Sequence, residues 1–356
     1  MELIAKLFLI LSLFGCSREP ITPPETPPNL EVELSYSLGM SFPPMANDEQ
    51  RRFTAPLLEE LNVGRIRIGE NWSFREPIEG EFNWGPLDDR ISWAEANDIE
   101  ILLTIQSNGP DWACSDRRNS KSCVYTDNAQ FQNYIEQLLK RYPNQIDKIQ
   151  FGNEWQTEFW YIGTEEEFVE ASNIVYSAIQ ELSPETEFVL GGFTTISLRF
   201  LAGCNGLVDE FYDDEGNLYD KEFLRDHCDD PEIQEVKDRI DFVLENALYD
   251  IVDIHLYDDA HQWLDYYENI QAMVSKPILV SEFGGPNVNI EPTDETYQAA
   301  QLEKYILAID SMEVEEAYFF KLVEGGDNPA HAKSGLIDDQ TQDKKESFEV
   351  FKALSN

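Results

Sequence analysis

The chain has 356 residues, of which 69 are Asp or Glu and 26 are Lys or Arg, so its formal net charge is −43. This balance argues against nucleic-acid binding, which needs a basic face, and against electrostatic docking on anionic lipid. Because 42% of the residues are hydrophobic and 12% are aromatic, we expect a folded chain rather than a disordered one, with one large or two average domains.

The N-terminus has the features of an exported bacterial protein. An apolar run at residues 7–14, LFLILSLF, follows Lys6 and is too short to span a bilayer. It ends in Gly15 and Cys16, and a small residue directly before a cysteine resembles the lipobox of bacterial lipoproteins. The resemblance implies a signal peptide over residues 1–15 and a lipid on the thiol of Cys16. An ordinary signal peptide with a chance cysteine, or an apolar N-terminal strand, would leave the same pattern.

A proline-rich segment covers residues 16–31, with prolines at positions 20, 23, 24, 27 and 28. Such a run forms neither a helix nor a central strand, so we expect an extended tether between Cys16 and the globular part. The combination predicts a lipid-anchored protein of the bacterial cell envelope, exported to the outer membrane or the cell surface. The lipid would be its only contact with the membrane.

Four further cysteines, Cys114, Cys123, Cys204 and Cys228, are compatible with two disulfides in an oxidising compartment. Pairing each with its neighbour in the chain would close two loops and stabilise each by about 3 kcal/mol, although the spacing does not fix the connectivity. No CxxC motif and no histidine at ligand spacing accompany them, which argues against zinc. We predict neither a metal nor another cofactor.

Short β-rich runs alternate with amphipathic stretches from residue 34 onward. Predicted strands lie at residues 34–40, 64–69, 100–105, 147–152, 187–191, 251–256, 277–281 and 316–321, and the clearest helices at 131–141, 166–182 and 296–312. Eight such units predict an α/β fold, a closed (β/α)8 TIM barrel that forms a single domain over residues 32–356. The rival, an open doubly wound sheet, usually carries a GxGxxG loop that this chain lacks. The acidic stretch 204–240 is interpreted as an elaborated loop and helix.

Two glutamates directly follow apolar strands, Glu154 after the fourth and Glu282 at the end of the seventh. In a TIM barrel these strand ends meet at one mouth, where the chemistry of such barrels is found. A carboxylate at the rim of a buried sheet is unfavourable unless it pairs with a cation or takes part in the protein's chemistry. Two facing carboxylates are what the cleavage of a glycosidic bond requires, one as proton donor and the other as nucleophile or base.

The segments around these glutamates resemble the retaining glycosidases of glycoside hydrolase clan A, which includes cellulases, mannanases, xylanases and β-xylosidases. Asn153-Glu154 is similar to the clan's Asn-Glu pair, and Ser281-Glu282-Phe283-Gly284 to its nucleophile motif. Arg67 is similar to the second-strand arginine, and His255 and Tyr257 match the His-x-Tyr of the sixth strand. The likeness covers nearly all of residues 34–353. It departs at the third strand, where Gln106 and Asn108 stand in place of a histidine, and at the eighth, where Phe320 and Lys321 stand in place of a tryptophan.

The resemblance implies a role for each matched position. Glu282 would be the nucleophile and Glu154 the acid/base, while Arg67 and Tyr257 would orient the nucleophile. Asn153 would bind the sugar 2-hydroxyl, although it could instead cap the following helix. Arg65 shares the strand face of Arg67, and Arg67 is chosen by motif alignment.

Further substrate contacts are expected at the strand ends. The tryptophans that follow strands could offer indole faces to sugar rings, although core packing is the commoner role of any one of them. Lys321 is unusual in this position and could bind a rim acid or an anionic substituent. The remaining predicted contacts are Trp72, Asn108, Trp112, Trp155, Trp160, Trp263, Phe320 and Lys321.

The sequence therefore predicts a monomeric retaining β-glycoside hydrolase that acts on a neutral oligo- or polysaccharide. The alternative is a surface lipoprotein that binds glycans in the same barrel without turnover, as the departures at the third and eighth strands suggest. A metal-dependent barrel hydrolase, with ligands from His255, Asp258, Asp259 and His261, is a third and weaker interpretation.

Overall fold

The computed structural model describes residues 33–116, 121–326 and 329–355. The predicted signal peptide, Cys16 and the predicted tether therefore lie outside the described residues. Within the described part, none of the helices has both the length and the apolar character needed to cross a bilayer.

Eight parallel strands close into a barrel, as predicted. They are β1 (Ser37–Ser41), β2 (Arg65–Glu70), β3 (Glu100–Ile105), β4 (Lys148–Phe151), β5 (Glu187–Phe193), β6 (Ile251–Tyr257), β7 (Ile278–Gly284) and β8 (Val314–Phe319). Each strand pairs with its neighbours in the chain, and β1 closes the barrel by pairing with β8, where Ser37 lies opposite Glu316. Because both faces of a parallel sheet are covered, the strands are almost entirely buried.

Helices surround the barrel. They are α1 (Asp48–Glu60), α2 (Trp72–Arg75), α3 (Gly85–Ala96), α4 (Asn128–Arg141), α5 (Glu165–Leu182), α6 (Thr195–Cys204), α7 (Lys221–His227), α8 (Pro231–Asn246), α9 (Trp263–Met273), α10 (Glu295–Asp310) and α11 (Glu346–Leu354). Helix α4 begins three residues earlier than its apolar face predicted, because the Asp127 side chain caps it by accepting from the Ala129 N–H. Thr164 and Glu167 form a capping box that starts α5.

The acidic stretch after β5 is elaborated, as predicted. Helix α6 leads into a short hairpin, Phe211–Tyr212 with Leu218–Tyr219, and then into α7 and α8. A disulfide between Cys204 and Cys228 ties the end of α6 to the end of α7. The second disulfide, Cys114–Cys123, closes the loop after β3, so neighbour pairing is confirmed.

Cations are scarce in this chain, and several of them are inside it. The buried basic residues among those described are Arg51, Arg67, Arg75, Arg199, Lys321 and Lys345. At the end of the barrel opposite the mouth, Arg65 pairs with Glu100 and Glu316, and Lys148 also reaches Glu316. Several of these cations neutralise buried carboxylates, Arg67 on Glu282, Arg75 on Glu70 and Lys345 on Glu324, which could not otherwise stay charged.

Candidate active site

Glu154 and Glu282 face each other across the mouth of the barrel. Glu282 lies in β7 and is 8% exposed, whereas Glu154 follows β4 at the rim with its side chain 21% exposed. A carboxylate oxygen of each glutamate and a ring nitrogen of His255 all lie within 4.8 Å of one another. Two carboxylates of opposite strands thus share one small polar space.

The backbone turns sharply to bring Glu154 inward. Gly152 has φ +79° and Glu154 has φ +49°, both in the left-handed region that side chains with a Cβ rarely adopt. A Cβ on Gly152 would lie 2.9 Å from the Phe168 ring, so that position has room for glycine alone. The Glu154 N–H donates to the Gly192 carbonyl at 3.0 Å, which holds the turned segment against β5. Left-handed conformations of non-glycine residues concentrate at functional sites.

Glu282 is surrounded by donors. Arg67 makes an ion pair with its Oε1, the Tyr257 hydroxyl donates to Oε2 at 2.7 Å, and His255 Nδ1 lies 3.8 Å from Oε2. Burial alone would raise the pKa of this carboxyl. The positive charges of His255 and Arg67 and the hydrogen bonds from Tyr257 and Arg67 outweigh burial and lower the pKa below its ordinary value. Glu282 is therefore held ionised.

Arg67 is fully buried and held on every side. Its guanidinium donates to Gln150 Oε1 and to Asn153 Oδ1, both at 2.7 Å, and to Thr104 Oγ1 at 2.8 Å. The guanidinium therefore has a single orientation, in which its Nη1 contacts Glu282. Arg65, two residues earlier, points to the opposite end of the barrel.

His255 bridges the two glutamates. Its Nδ1 lies 2.9 Å from Glu154 Oε1, and its Nε2 faces Ser281 Oγ at 3.2 Å and Asp253 Oδ2 at 3.3 Å. Burial disfavours a charged imidazole, but the charges of Glu282 and Asp253 and the hydrogen bonds to Asp253 and Glu154 raise the pKa of His255 to about 10. His255 is therefore an imidazolium at neutral pH.

Asp253 contacts the Nε2 side of the His255 ring. The motif comparison did not identify this residue. Its carboxylate also accepts from Gln150 Nε2 and Ser281 Oγ, both at 2.5 Å, and from the Ser281 N–H at 2.7 Å. The sequence signal was present in β6, where Asp253, His255 and Tyr257 alternate on the inner face. Three polar residues with period two in a strand buried on both sides point to the barrel interior.

Glu154 accepts one hydrogen bond on each carboxylate oxygen. His255 lies at Oε1, and the Trp160 indole N–H donates to Oε2 at 2.6 Å. Trp160 is half-buried, and its indole contacts the glutamate itself. The sequence had predicted only a contact with the substrate.

Other predicted contact residues lie near the mouth. The Asn108 side chain is buried and donates to Asn71, and half-buried Trp112 donates to the Glu76 carbonyl at 3.0 Å. Phe320 packs edge-on against Tyr257, with ring centroids 6.2 Å apart. Lys321 is 8% exposed, with its ammonium 5.3 Å from the centroid of the Phe320 ring.

Three of the predicted sugar platforms are core residues, so those predictions are wrong. Trp72, Trp155 and Trp263 are completely buried. Other aromatic rings cover them, and each indole N–H is hydrogen-bonded within the protein, to Glu76, Gly191 and Asp258 respectively. A sugar ring has no access to any of the three.

The cluster of Glu154, His255 and Glu282 has the spacing of a metal site but not its chemistry. Arg67 places a fixed positive charge on Glu282, and the ring of His255 already contacts Glu154, so the groups that would hold a cation are paired within the protein. The alternative set around Asp258 also fails, because Asp258 faces His331 at 3.3 Å while His255 faces Glu154. Among the described residues, a second acidic group is formed by Glu324, Asp338 and Asp339, of which Glu324 is paired with both Lys333 and Lys345.

No known protein family matches the sequence by its family profile, and no curated protein matches it. Solved structures do match in fold. A family 39 glycoside hydrolase from the gut symbiont Bacteroides cellulosilyticus WH2 is 15% identical with a TM-score of 0.58, over 90% of this chain and 63% of that one. The chain thus spans less than two thirds of that protein.

Two further structures show the same likeness. A GH5_18 variant from Streptomyces cattleya, in complex with Manβ1-4GlcNAc, is 13% identical with a TM-score of 0.64, over 90% of this chain and 80% of that one. A GH10 protein from Paenibacillus barcinonensis is 14% identical with a TM-score of 0.59, over 90% and 94% of the two chains. The chain therefore has the TIM-barrel fold of glycoside hydrolases.

Proposed function

We propose that the chain is a retaining β-glycoside hydrolase, with Glu282 as nucleophile and Glu154 as acid/base. The single observation that carries the proposal is that one carboxylate oxygen of Glu154 and one of Glu282 lie within 4.8 Å of each other across the barrel mouth. In retaining enzymes the two carboxyl groups are about 5–5.5 Å apart, whereas inverting enzymes need about 6.5–9.5 Å to admit a water molecule between them.

In the first step, Glu282 attacks the anomeric carbon and displaces the leaving oxygen. Its lowered pKa supports this role, because a nucleophilic carboxylate must be ionised. Arg67 and Tyr257 each hold one oxygen of Glu282, which limits its rotation and aims it at one face of the sugar.

Glu154 protonates the leaving oxygen in the same step, and His255 holds the proton beforehand. The imidazolium Nδ1 is 2.9 Å from Glu154 Oε1, so its proton passes along this hydrogen bond to Glu154, which delivers that same proton to the sugar oxygen. His255 is then neutral and Glu154 is ionised. In the second step, Glu154 takes a proton from water, the water attacks the anomeric carbon, Glu282 is released, and the proton returns to His255.

The test uses aryl β-glycosides of several sugars. We expect Glu282→Ala to reduce turnover to background, and Glu154→Ala to lose about 10²–10⁴-fold with leaving groups that need protonation. Added azide should rescue Glu154→Ala as a β-glycosyl azide, and NMR should show a first product of unchanged anomeric configuration. Glu303→Ala, on the exposed face of α10, is the matched control and should retain wild-type turnover. Wild-type turnover in both active-site variants would reject the proposal, as would glycan binding without any consumption.

A neutral oligo- or polysaccharide is the proposed substrate. The net charge of −43 repels polyanions at long range, and the similar Streptomyces protein binds a neutral disaccharide. We also propose that the protein is exported and lipid-anchored through Cys16 in the bacterial envelope, as a monomer. Mass spectrometry of the purified N-terminus tests the anchor, since Cys16→Ser would abolish the lipid and release the protein from membranes.

A further inference from the structure

An aromatic pair lies directly beside Glu154. Phe159 and Trp160 stand almost perpendicular, at 85°, with ring centroids 5.1 Å apart. The Lys121 ammonium lies 4.1 Å from the Trp160 ring centroid and 4.8 Å from that of Phe159. A cation over two rings is attracted to both of them and so supports their arrangement.

The chain around this pair is also fixed. Ser107 Oγ donates to the Trp160 carbonyl at 2.9 Å, and the Ile162 N–H donates to Ser122 Oγ at 2.9 Å. Ser122 lies in the loop closed by the Cys114–Cys123 disulfide, and the Ser107 carbonyl accepts from the Cys123 N–H at 2.9 Å. The pair is therefore held at a constant position relative to Glu154.

The two rings differ in what they can offer to a ligand. The Trp160 N–H is bonded to Glu154, and Lys121 lies over its ring. Phe159 is 56% exposed, so much of its ring faces solvent. A single exposed phenylalanine is ordinary on a protein surface, but this one packs on Trp160, which donates to the proposed proton donor.

The proposed reaction predicts which part of the substrate lies beside Phe159 and Trp160. The acid/base must reach the oxygen of the departing group, so residues around Glu154 that lie away from Glu282 are on the leaving-group side. We propose that Phe159 is the platform for the departing sugar or aryl group, and that Trp160 is the positioning residue that aims Glu154 at it. This inference rests on the proposed function and deepens it.

The first experiment isolates the platform by transglycosylation. An activated aryl β-glycoside forms the glycosyl-enzyme, which then partitions between water and an added oligosaccharide acceptor that occupies the leaving-group position. Phe159→Ala should lower the ratio of transfer to hydrolysis about tenfold, the loss of one aromatic contact, because the acceptor uses the platform and water does not. The ratio is set after the glycosyl-enzyme has formed, so it does not depend on how well the variant binds the aryl group. Phe159→Trp should restore transfer. Leu307→Ala, an exposed apolar residue on α10, should match the wild type.

The second experiment tests the positioning role of Trp160. Trp160→Phe keeps a ring but removes the N–H donor to Glu154. Its kcat/KM should fall at least tenfold for oligosaccharides, whose leaving oxygen needs a proton, and less than twofold for a 2,4-dinitrophenyl glycoside, whose leaving group needs none. An equal loss on both substrates would indicate a merely structural role and overturn the assignment. The melting temperature of each variant shows that the fold is kept.

The outcomes separate this inference from the proposed function. If the wild type consumes no glycoside, both fail. If the wild type is active, Glu282→Ala is inactive and Phe159→Ala transfers as well as the wild type, only the platform is refuted. If the wild type transfers nothing to an acceptor, kcat/KM on an oligosaccharide replaces the readout, and Phe159→Ala should again lose about tenfold.

Discussion

Replacing Tyr257 with phenylalanine removes a single oxygen atom from the site. That hydroxyl donates to Glu282 Oε2 at 2.7 Å, while the ring packs on His331 at 4.3 Å and on Phe320 at 6.2 Å. The ring contacts survive the substitution, so the loss is confined to one hydrogen bond that favours the ionised form of Glu282.

The size of the effect follows from that hydrogen bond. A hydrogen bond to an ionised group contributes about 1.5–3 kcal/mol. Because about 1.4 kcal/mol corresponds to one pKa unit, the pKa of Glu282 should rise by about one to two units. Glu282 must be ionised to attack, so the acidic limb of the kcat/KM profile should move to higher pH by the same amount. Well above that limb the rate should change much less.

The assay is the pH dependence of kcat/KM on a 2,4-dinitrophenyl β-glycoside, whose leaving group needs no proton from Glu154. Tyr134→Phe is the matched control, because Tyr134 is buried in α4 and its hydroxyl has no hydrogen-bond partner among the described residues. An acidic limb that stays at its wild-type position in Tyr257→Phe, or moves to lower pH, would refute the reasoning.

Three more outcomes follow from the structure. A Cβ on Gly192 would overlap His255 and Asp253, so Gly192→Ala should lower kcat at least tenfold and also lower the melting temperature; unaltered kcat would contradict this. Because folding raises the pKa of His255 from 6.5 to about 10, its protonation stabilises the fold fully below pH 6.5 and progressively less up to pH 10. In His255→Asn the free energy of unfolding, measured with urea, should therefore fall less steeply across this pH range. Replacing Cys114 and Cys123 with serine should lower the free energy of unfolding by about 3 kcal/mol, and an unchanged urea midpoint would argue against it.

The barrel was predictable because buried parallel strands are short, apolar and regularly spaced. The errors lie at strand ends, where tertiary contacts decide. The first strand was predicted from residue 34 but begins at Ser37, since Ser35 and Tyr36 bond to α10 instead of a neighbouring strand. The eighth was predicted to include Phe320 and Lys321, but it ends at Phe319, and Phe320 turns towards Tyr257 at the mouth.

The two glutamates could be located from sequence because a carboxylate at the end of an apolar strand is rare enough to be informative. The tryptophans could not, because following a strand does not specify which way a side chain points. Trp155 is adjacent to Glu154 but enters the layer between the barrel and α5, where it stacks on Phe168. The contact of Trp160 with Glu154 depends on how the segment after β4 folds back on itself, which the sequence does not specify. Asp253 could have been found from its alternation with His255 and Tyr257 in β6.

The burial of these cations affects how copies of the protein interact in solution. With Arg67, Arg75 and Arg199 enclosed, fewer of the 26 basic groups remain outside to offset the 69 acids. Because these cations are matched by buried carboxylates such as Glu282 and Glu70, the large excess of acids is carried by the hydrated surface. Copies repel one another and stay dispersed, and the same repulsion strains the compact state from within. Dissolved salt shortens the range of that repulsion to about 3 Å at 1 M, so brine should favour the folded form.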